Sequence, residues 1–140
     1  MTVGNESEEK PLRVAVVDDD PDMIKVLRVI LGMRGMEVHE ASNGMKGLAL
    51  VRREHPDVVL LDIMMPDIDG FEVLRRLKLD PETGDIPVIF VSAKTGKEHV
   101  DLGLSLGAQG YITKPFNPDA LINKIEEAAN KDEPGAAGGS

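Results

Sequence analysis

The chain of 140 residues has no cysteine, which excludes disulfides, a thiolate nucleophile and cysteine-ligated zinc. It also lacks any apolar run approaching the roughly 20 residues that a membrane helix requires. Residues 1–10 are polar and acidic, unlike a signal peptide. Basic residues are in deficit: 16 lysines and arginines against 25 aspartates and glutamates leave a formal charge of -9. That balance argues against phosphate backbones and anionic lipid as direct partners, and leaves small cations and basic surfaces. No glycine-rich Walker loop and no GxGxxG follows an apolar run, so there is no obvious nucleotide site. His39, His55 and His99 lie in a strand, before a proline and in a helix, with no motif around any of them. All three read as surface or packing residues, and nothing in the chain supplies a general base. A cytoplasmic protein without direct nucleic-acid or membrane contact is the expectation.

What is present is one alternation, repeated. With 41% hydrophobic residues and a polar segment at each end, the chain has material for one domain with one core. Strands are predicted at Leu12 to Val17, Glu37 to Ala41, Val58 to Leu61, Val88 to Val91 and Gly110 to Thr113. The first, third and fourth lack polar alternation and so should be central, buried on both faces. Helical periodicity fills the intervals: Pro21 to about Met33 with Met23, Leu27, Ile30 and Leu31 inward, Gly44 to Glu54, Phe71 to Leu79, Lys97 to Leu106, and Pro118 to Asn130. In the last, Leu121, Ile122, Ile125, Ala128 and Ala129 form a single apolar stripe. Five strand–helix pairs predict an α/β fold, a parallel sheet covered on both faces. Residues 1–10 are expected to be a disordered amino-terminal segment, 11–130 the domain, and 131–140, rich in Gly and Pro, a flexible tail or linker.

In an open parallel sheet the ligand site lies beyond the carboxyl ends of the strands. Just past the first strand stand Asp18, Asp19 and Asp20; past the third, Asp62; past the fourth, Ser92; past the fifth, Lys114 and Pro115. Each has an ordinary reading. Asp20 before Pro21 suits an N-cap, and Asp22 suits the first turn of a helix. A loop carboxylate is usually just solvated, Ser92 is equally a loop hydroxyl, and Lys114 equally a surface lysine. Convergence alters the balance, because three carboxylates at one edge repel unless a cation sits among them. An all-oxygen set selects a hard ion such as Mg²⁺, and hence phosphate chemistry. Lys114 would then supply charge to a phosphoryl group and Ser92 a hydrogen bond.

The strings "VVDDD", "LLDIMMPDIDG", "FVSA" and "GYITKPF", in this order and each at a strand's carboxyl end, resemble the receiver domain of two-component response regulators from Leu12 to about Asn130. The resemblance implies a doubly wound, flavodoxin-like sheet of strand order 2-1-3-4-5 with five helices. It implies Asp62 as phosphoacceptor, with Asp18 and Asp19 as the acidic pair holding Mg²⁺: Asp19 and Asp62 as direct ligands, Asp18 mainly through water, and the Met64 carbonyl as a further ligand. Ser92 takes the place of the family's Ser or Thr, Lys114 that of its phosphoryl-contacting lysine, and Tyr111 that of the switch aromatic, which turns inward on phosphorylation. Pro115 is expected to follow a cis peptide bond, Pro66 to fix a turn, and Gly70 to allow close backbone approach. The partners implied are a sensor histidine kinase or histidine phosphotransfer protein, and a downstream protein or covalent output domain. The carboxyl-terminal segment is either the end of a stand-alone receiver or the linker of a larger regulator. Where winged-helix regulators pair through "GADDY" and a nearby arginine, this chain has "GAQGY" and no arginine from Ala108 onward, so a monomer is expected. Two other classes fit the residues less well. A small Mg²⁺-dependent phosphohydrolase of the haloacid dehalogenase type needs a second acid two residues after the nucleophile, where this chain has Met64. A non-phosphorylated docking receiver usually loses the acceptor or the acidic pair, and this chain keeps both.

Overall fold

The computed structural model describes residues 10–130. The expectations for a disordered segment over 1–10 and a tail over 131–140 therefore fall almost wholly outside the described residues. Five strands, β1 (Arg13–Val17), β2 (Glu37–Ala41), β3 (Val58–Leu61), β4 (Val88–Ser92) and β5 (Gly110–Thr113), alternate with five helices. These are α1 (Pro21–Gly32), α2 (Gly44–Glu54), α3 (Gly70–Leu79), α4 (Lys97–Ser105) and α5 (Pro118–Ala129). Every strand pair is parallel and the order is β2-β1-β3-β4-β5, so the three apolar runs do occupy the centre.

Two cores, one on each face, explain why those runs show no alternation. Val14 and Val16 of β1, Val58 and Leu60 of β3, and Ile89 and Val91 of β4 pack under α1 and α5. Their neighbours Ala15, Val17, Val59, Leu61, Val88 and Phe90 pack on the other side, chiefly under α2 and α3. Successive side chains on a strand point to opposite faces, and here both faces are dry.

Helix starts follow the capping chemistry. Asp20 accepts from the Asp22 amide at 3.0 Å, with Pro21 at the first helical position. Asn43, Asp69 and Asn117 cap α2, α3 and α5 in the same way. The Asp69 cap starts α3 at Gly70, one residue earlier than periodicity suggests. The apolar stripe of α1 is centred on Ile24, Leu27 and Leu31, all buried, whereas Met23 and Ile30 are half-buried at its margins. α4 differs from the rest: Gly96 precedes it with φ 104°, no side chain caps it, and Gly103 is its one buried residue. Gly103 is there for space, since a Cβ would press on the Phe90 ring at 3.0 Å.

Gly70 marks the closest backbone approach near the strand edge. Its amide donates to the Ile63 carbonyl at 2.8 Å, and a Cβ would collide with the Asp62 carbonyl oxygen and meet Ile63 Cα at 2.8 Å. Backbone atoms cannot yield as a side chain would. Gly70→Ala should cost roughly 2 kcal/mol or more, whereas Gly32→Ala, with nothing within 4 Å, should be neutral or stabilise by up to about 1 kcal/mol. Denaturant midpoints of the two variants test this; equal midpoints would contradict the assigned contact.

Candidate functional site

The carboxyl edge of the sheet is held by one extra rung of backbone hydrogen bonds. The Asp18 amide donates to Ala41 (3.1 Å), the Asp62 amide to Val17 (3.0 Å) and the Lys114 amide to Ser92 (2.9 Å). Residues just beyond three strands are thus fixed as firmly as strand residues. Because β1 and β3 are neighbours, Asp18 and Asp62 stand side by side, 2% and 7% exposed. Asp19 turns outward and is exposed, yet carboxylate oxygens of Asp18, Asp19 and Asp62 all lie within 4.8 Å of one another.

Lys114 reaches this group from beyond β5. Its ammonium donates to Asp18 at 2.8 Å and to Asp62 at 3.3 Å. Asp18 also accepts from the Asp20 amide at 2.9 Å, and Asp62 from the Ile63 amide at 2.7 Å. No buried side-chain polar atom among the described residues lacks a partner. Burial pushes the Asp18 carboxyl above its usual range, with the Asp62 charge adding to it; the Lys114 and Asp20 hydrogen bonds oppose but do not cancel this. For Lys114, burial acts to lower the pKa, but hydrogen bonds and charge from Asp18 and Asp62 prevail and raise it. The lysine is therefore held as a cation, and three carboxylates against one ammonium leave the site negative.

Sequence reasoning placed Ser92 just past the fourth strand. Instead it is the last residue of β4 and fully buried, since its carbonyl takes part in the extra rung. Its hydroxyl accepts from the Lys94 amide at 3.2 Å, a local turn contact. Tyr111 on β5 packs its ring on Phe90, centroids 5.8 Å apart, and donates its hydroxyl to the Lys94 carbonyl at 2.7 Å. Burial, the main cause, raises the Tyr111 phenol's pKa. The Lys114–Pro115 peptide is cis. Met64 and Pro66 lie in the loop between Asp62 and α3, with Met64 55% exposed.

The histidines stand apart from this edge. His39 contacts Glu37 at 2.6 Å, His55 is the left-handed C-cap of α2, and His99 contacts the Thr95 carbonyl at 2.9 Å. One residue of the neighbourhood went unnoticed in the sequence. It is Asp67, whose two oxygens accept from the Gly44 and Met45 amides at 2.9 and 2.8 Å. Those amide bonds, that of Met45 foremost, lower its pKa to about 2. No local signal announces this, because its partners are more than 20 positions away.

What the edge can do follows from its donors. An all-oxygen set with net negative charge fits a hard divalent cation, and the adjacent ammonium and hydroxyl fit a tetrahedral oxyanion.

The model of the response regulator receiver domain matches residues 14–126. Protein PilH of Pseudomonas aeruginosa is 42% identical over 113 residues, covering 81% of this chain and 93% of PilH. The DNA-binding dual master transcriptional regulator RpaA of Synechocystis is 37% identical over 113 residues, 81% of this chain but 47% of RpaA. The chain thus spans about half the length of that relative. Among solved structures, a CheY-like response regulator receiver domain protein from Methanospirillum hungatei superposes with a TM-score of 0.80 at 34% identity, covering 89% of this chain and 98% of that one. The receiver domain of the Francisella response regulator 1452 does so with 0.81 at 31% identity, covering 89% and 100%.

Removing the lysine tests the electrostatics. Lys114→Met leaves Asp18 and Asp62 buried without their cation and should cost about 2 kcal/mol at neutral pH, less than a fully buried pair because the lysine side chain keeps 15% of its exposure. Adding Asp18→Asn should recover most of that loss. A double-mutant cycle of unfolding free energies checks it, and additivity of the two changes would rule out the coupling.

Proposed function

The chain belongs to the response regulator receiver domain family of two-component signalling, and from that premise we propose that Asp62 accepts a phosphoryl group from the phosphohistidine of a sensor kinase or phosphotransfer protein. The observation that carries the reading is the convergence of Asp18, Asp19, Asp62 and Lys114 at one sheet edge. We assign the receiver to residues 11–130. It is a signalling domain rather than a conventional enzyme, and the chemistry it promotes is its own phosphorylation and dephosphorylation.

An oxygen of the Asp62 carboxylate forms a bond to phosphorus while the P–N bond to the donor imidazole breaks, and the imidazole takes a proton from solvent as it departs. The transition state is loose, with charge spread over the transferred oxygens. Lys114, held protonated by its two carboxylates, offsets part of that charge without moving far. Asp18, Asp19 and Asp62, with the Met64 carbonyl, are the groups that would hold Mg²⁺, and the ion supplies the remaining positive charge when bound. The Ser92 hydroxyl gains an acceptor in the acyl phosphate. Drawing it toward that acceptor shifts the loop beyond β4, and with it the Lys94 carbonyl on which Tyr111 hangs. The surface of α4, β5 and α5 then presents differently to a downstream partner or output domain. The names of RpaA and similar relatives point to DNA-binding outputs elsewhere in longer chains.

With Mg²⁺ and acetyl phosphate, the chain should gain one phosphoryl group, found by mass spectrometry on Asp62. Labelling of Asp62→Asn to the same extent, or indifference to chelation, would refute the assignment. A related expectation concerns lifetime. Hydrolysis needs a water in line with phosphorus, and Met64 and Lys94 have no side-chain acceptor strong enough to hold one. The phosphoryl group should persist for many minutes, and Met64→Asn with Lys94→Glu should shorten its life several-fold, about 1 kcal/mol in barrier. Decay followed after removal of the donor decides this; unchanged decay in the double variant would acquit these positions.

A further inference from the structure

We propose that Asp67 is a positioning residue for the phosphoryl site, holding the loop that follows Asp62 onto the first turn of α2. The inference rests on the reading of the acidic cluster given above. The loop is closed at its neck, where the Gly70 amide meets the Ile63 carbonyl at 2.8 Å. Beyond that neck, Met64, Pro66, Asp67 and Asp69 are all exposed, so the neck alone does not fix the tip. Asp67 does, with each carboxylate oxygen taking a different amide of α2, 2.9 Å from Gly44 and 2.8 Å from Met45. A second contact accompanies it. A Cβ at Gly44 would come within 2.5 Å of Ile68 Cγ1, so the side chain after Asp67 is seated in space that glycine leaves open.

α2 does not need Asp67 for its own cap. The Asn43 side chain already accepts from the Lys46 amide at 2.8 Å, and the Gly47 amide is bonded to the Asn43 carbonyl at 2.9 Å. What Asp67 adds is a tie between elements 22 and 23 residues apart in the chain. Asp67 carries some desolvation cost of its own. Two amide donors and the positive end of α2 offset it. The carboxylate stays charged throughout the neutral range because those same amides depress its pKa. Met64 sits three residues from this anchor, and its backbone is the part of the loop that the acidic cluster would use. Loss of the tie lets that backbone sample other orientations, and a ligand set loses affinity when the groups that orient it are removed.

Calorimetric titration of the full chain with Mg²⁺ alone tests the proposal. Asp67→Ala should bind Mg²⁺ about tenfold more weakly, and Asp67→Asn, with one acceptor oxygen instead of two, should fall between it and the parent. Asn43→Ala, which removes a cap from the same helix end without touching the loop, should stay within about twofold of the parent. Amide exchange over residues 63–69 should quicken in Asp67→Ala and not in Asn43→Ala. Parent-like Mg²⁺ affinity in Asp67→Ala would reduce Asp67 to a helix cap and overturn the inference; should that variant not fold, Asp67→Asn decides by the same criterion. Asp19→Asn separates the two levels. If it abolishes binding while Asp67→Ala leaves it intact, the inference alone fails; if the parent binds no Mg²⁺ that Asp19→Asn removes, the reading of the cluster fails and the inference with it.

Discussion

A single ammonium group, that of Lys114, keeps two buried carboxylates together at the sheet edge, 2.8 Å from one and 3.3 Å from the other. Carboxylates this close, and this dry, are unfavourable neighbours, and a fold that brings them together has to meet that repulsion in its resting state. The backbone does so by geometry, extending the ladder one rung past β1, β3 and β5, so that Asp18, Asp62 and Lys114 are held by backbone hydrogen bonds. The lysine does so by charge. It arrives from beyond β5, two strands away from β3. A shorter cation would not span that width. The repulsion is offset but not abolished, and the residual negative charge is what suits the site to a hard cation.

The same edge is connected to the outer surface through one short segment. Ser92 accepts from the Lys94 amide, and the Lys94 carbonyl accepts from Tyr111. Tyr111 in turn packs on Phe90, which meets Phe71 edge-on at 5.3 Å. Above this aromatic row lies α4, uncapped and resting on Phe90 through the bare backbone of Gly103. A small movement at Ser92 has therefore a continuous set of contacts to follow, ending under the helix with the fewest anchors. The opposite side of the site behaves differently, since there the loop after Asp62 is closed by Gly70 and tied to α2 by Asp67. One flank is fastened and the other is free to respond.

Much of this was legible in the chain itself. Apolar runs without alternation marked β1, β3 and β4 as central, and Asp20 before Pro21 marked the cap of α1. The acidic cluster and Lys114 were legible too, because in a parallel sheet every strand delivers its next residue to the same edge. Local reading erred by small amounts where tertiary packing decides. Ile24 is buried and Met23 is half-buried, because the angle at which α1 lies on the sheet is set by both partners.

What the sequence determined alone was therefore periodic or local: the class of fold, the number and type of its elements, and which residues stand at the strand ends. Hydrophobic period and capping chemistry act within a few residues and are written where they act. Which strand ends become neighbours, how deeply Asp18 is buried, where Tyr111 hangs and that Asp67 holds α2 were decided by tertiary structure. Each depends on groups brought together from distant parts of the chain, 96 residues apart for Asp18 and Lys114. Contacts of that kind carry no spacing that a single sequence can display, because their distance in space is set by the fold as a whole.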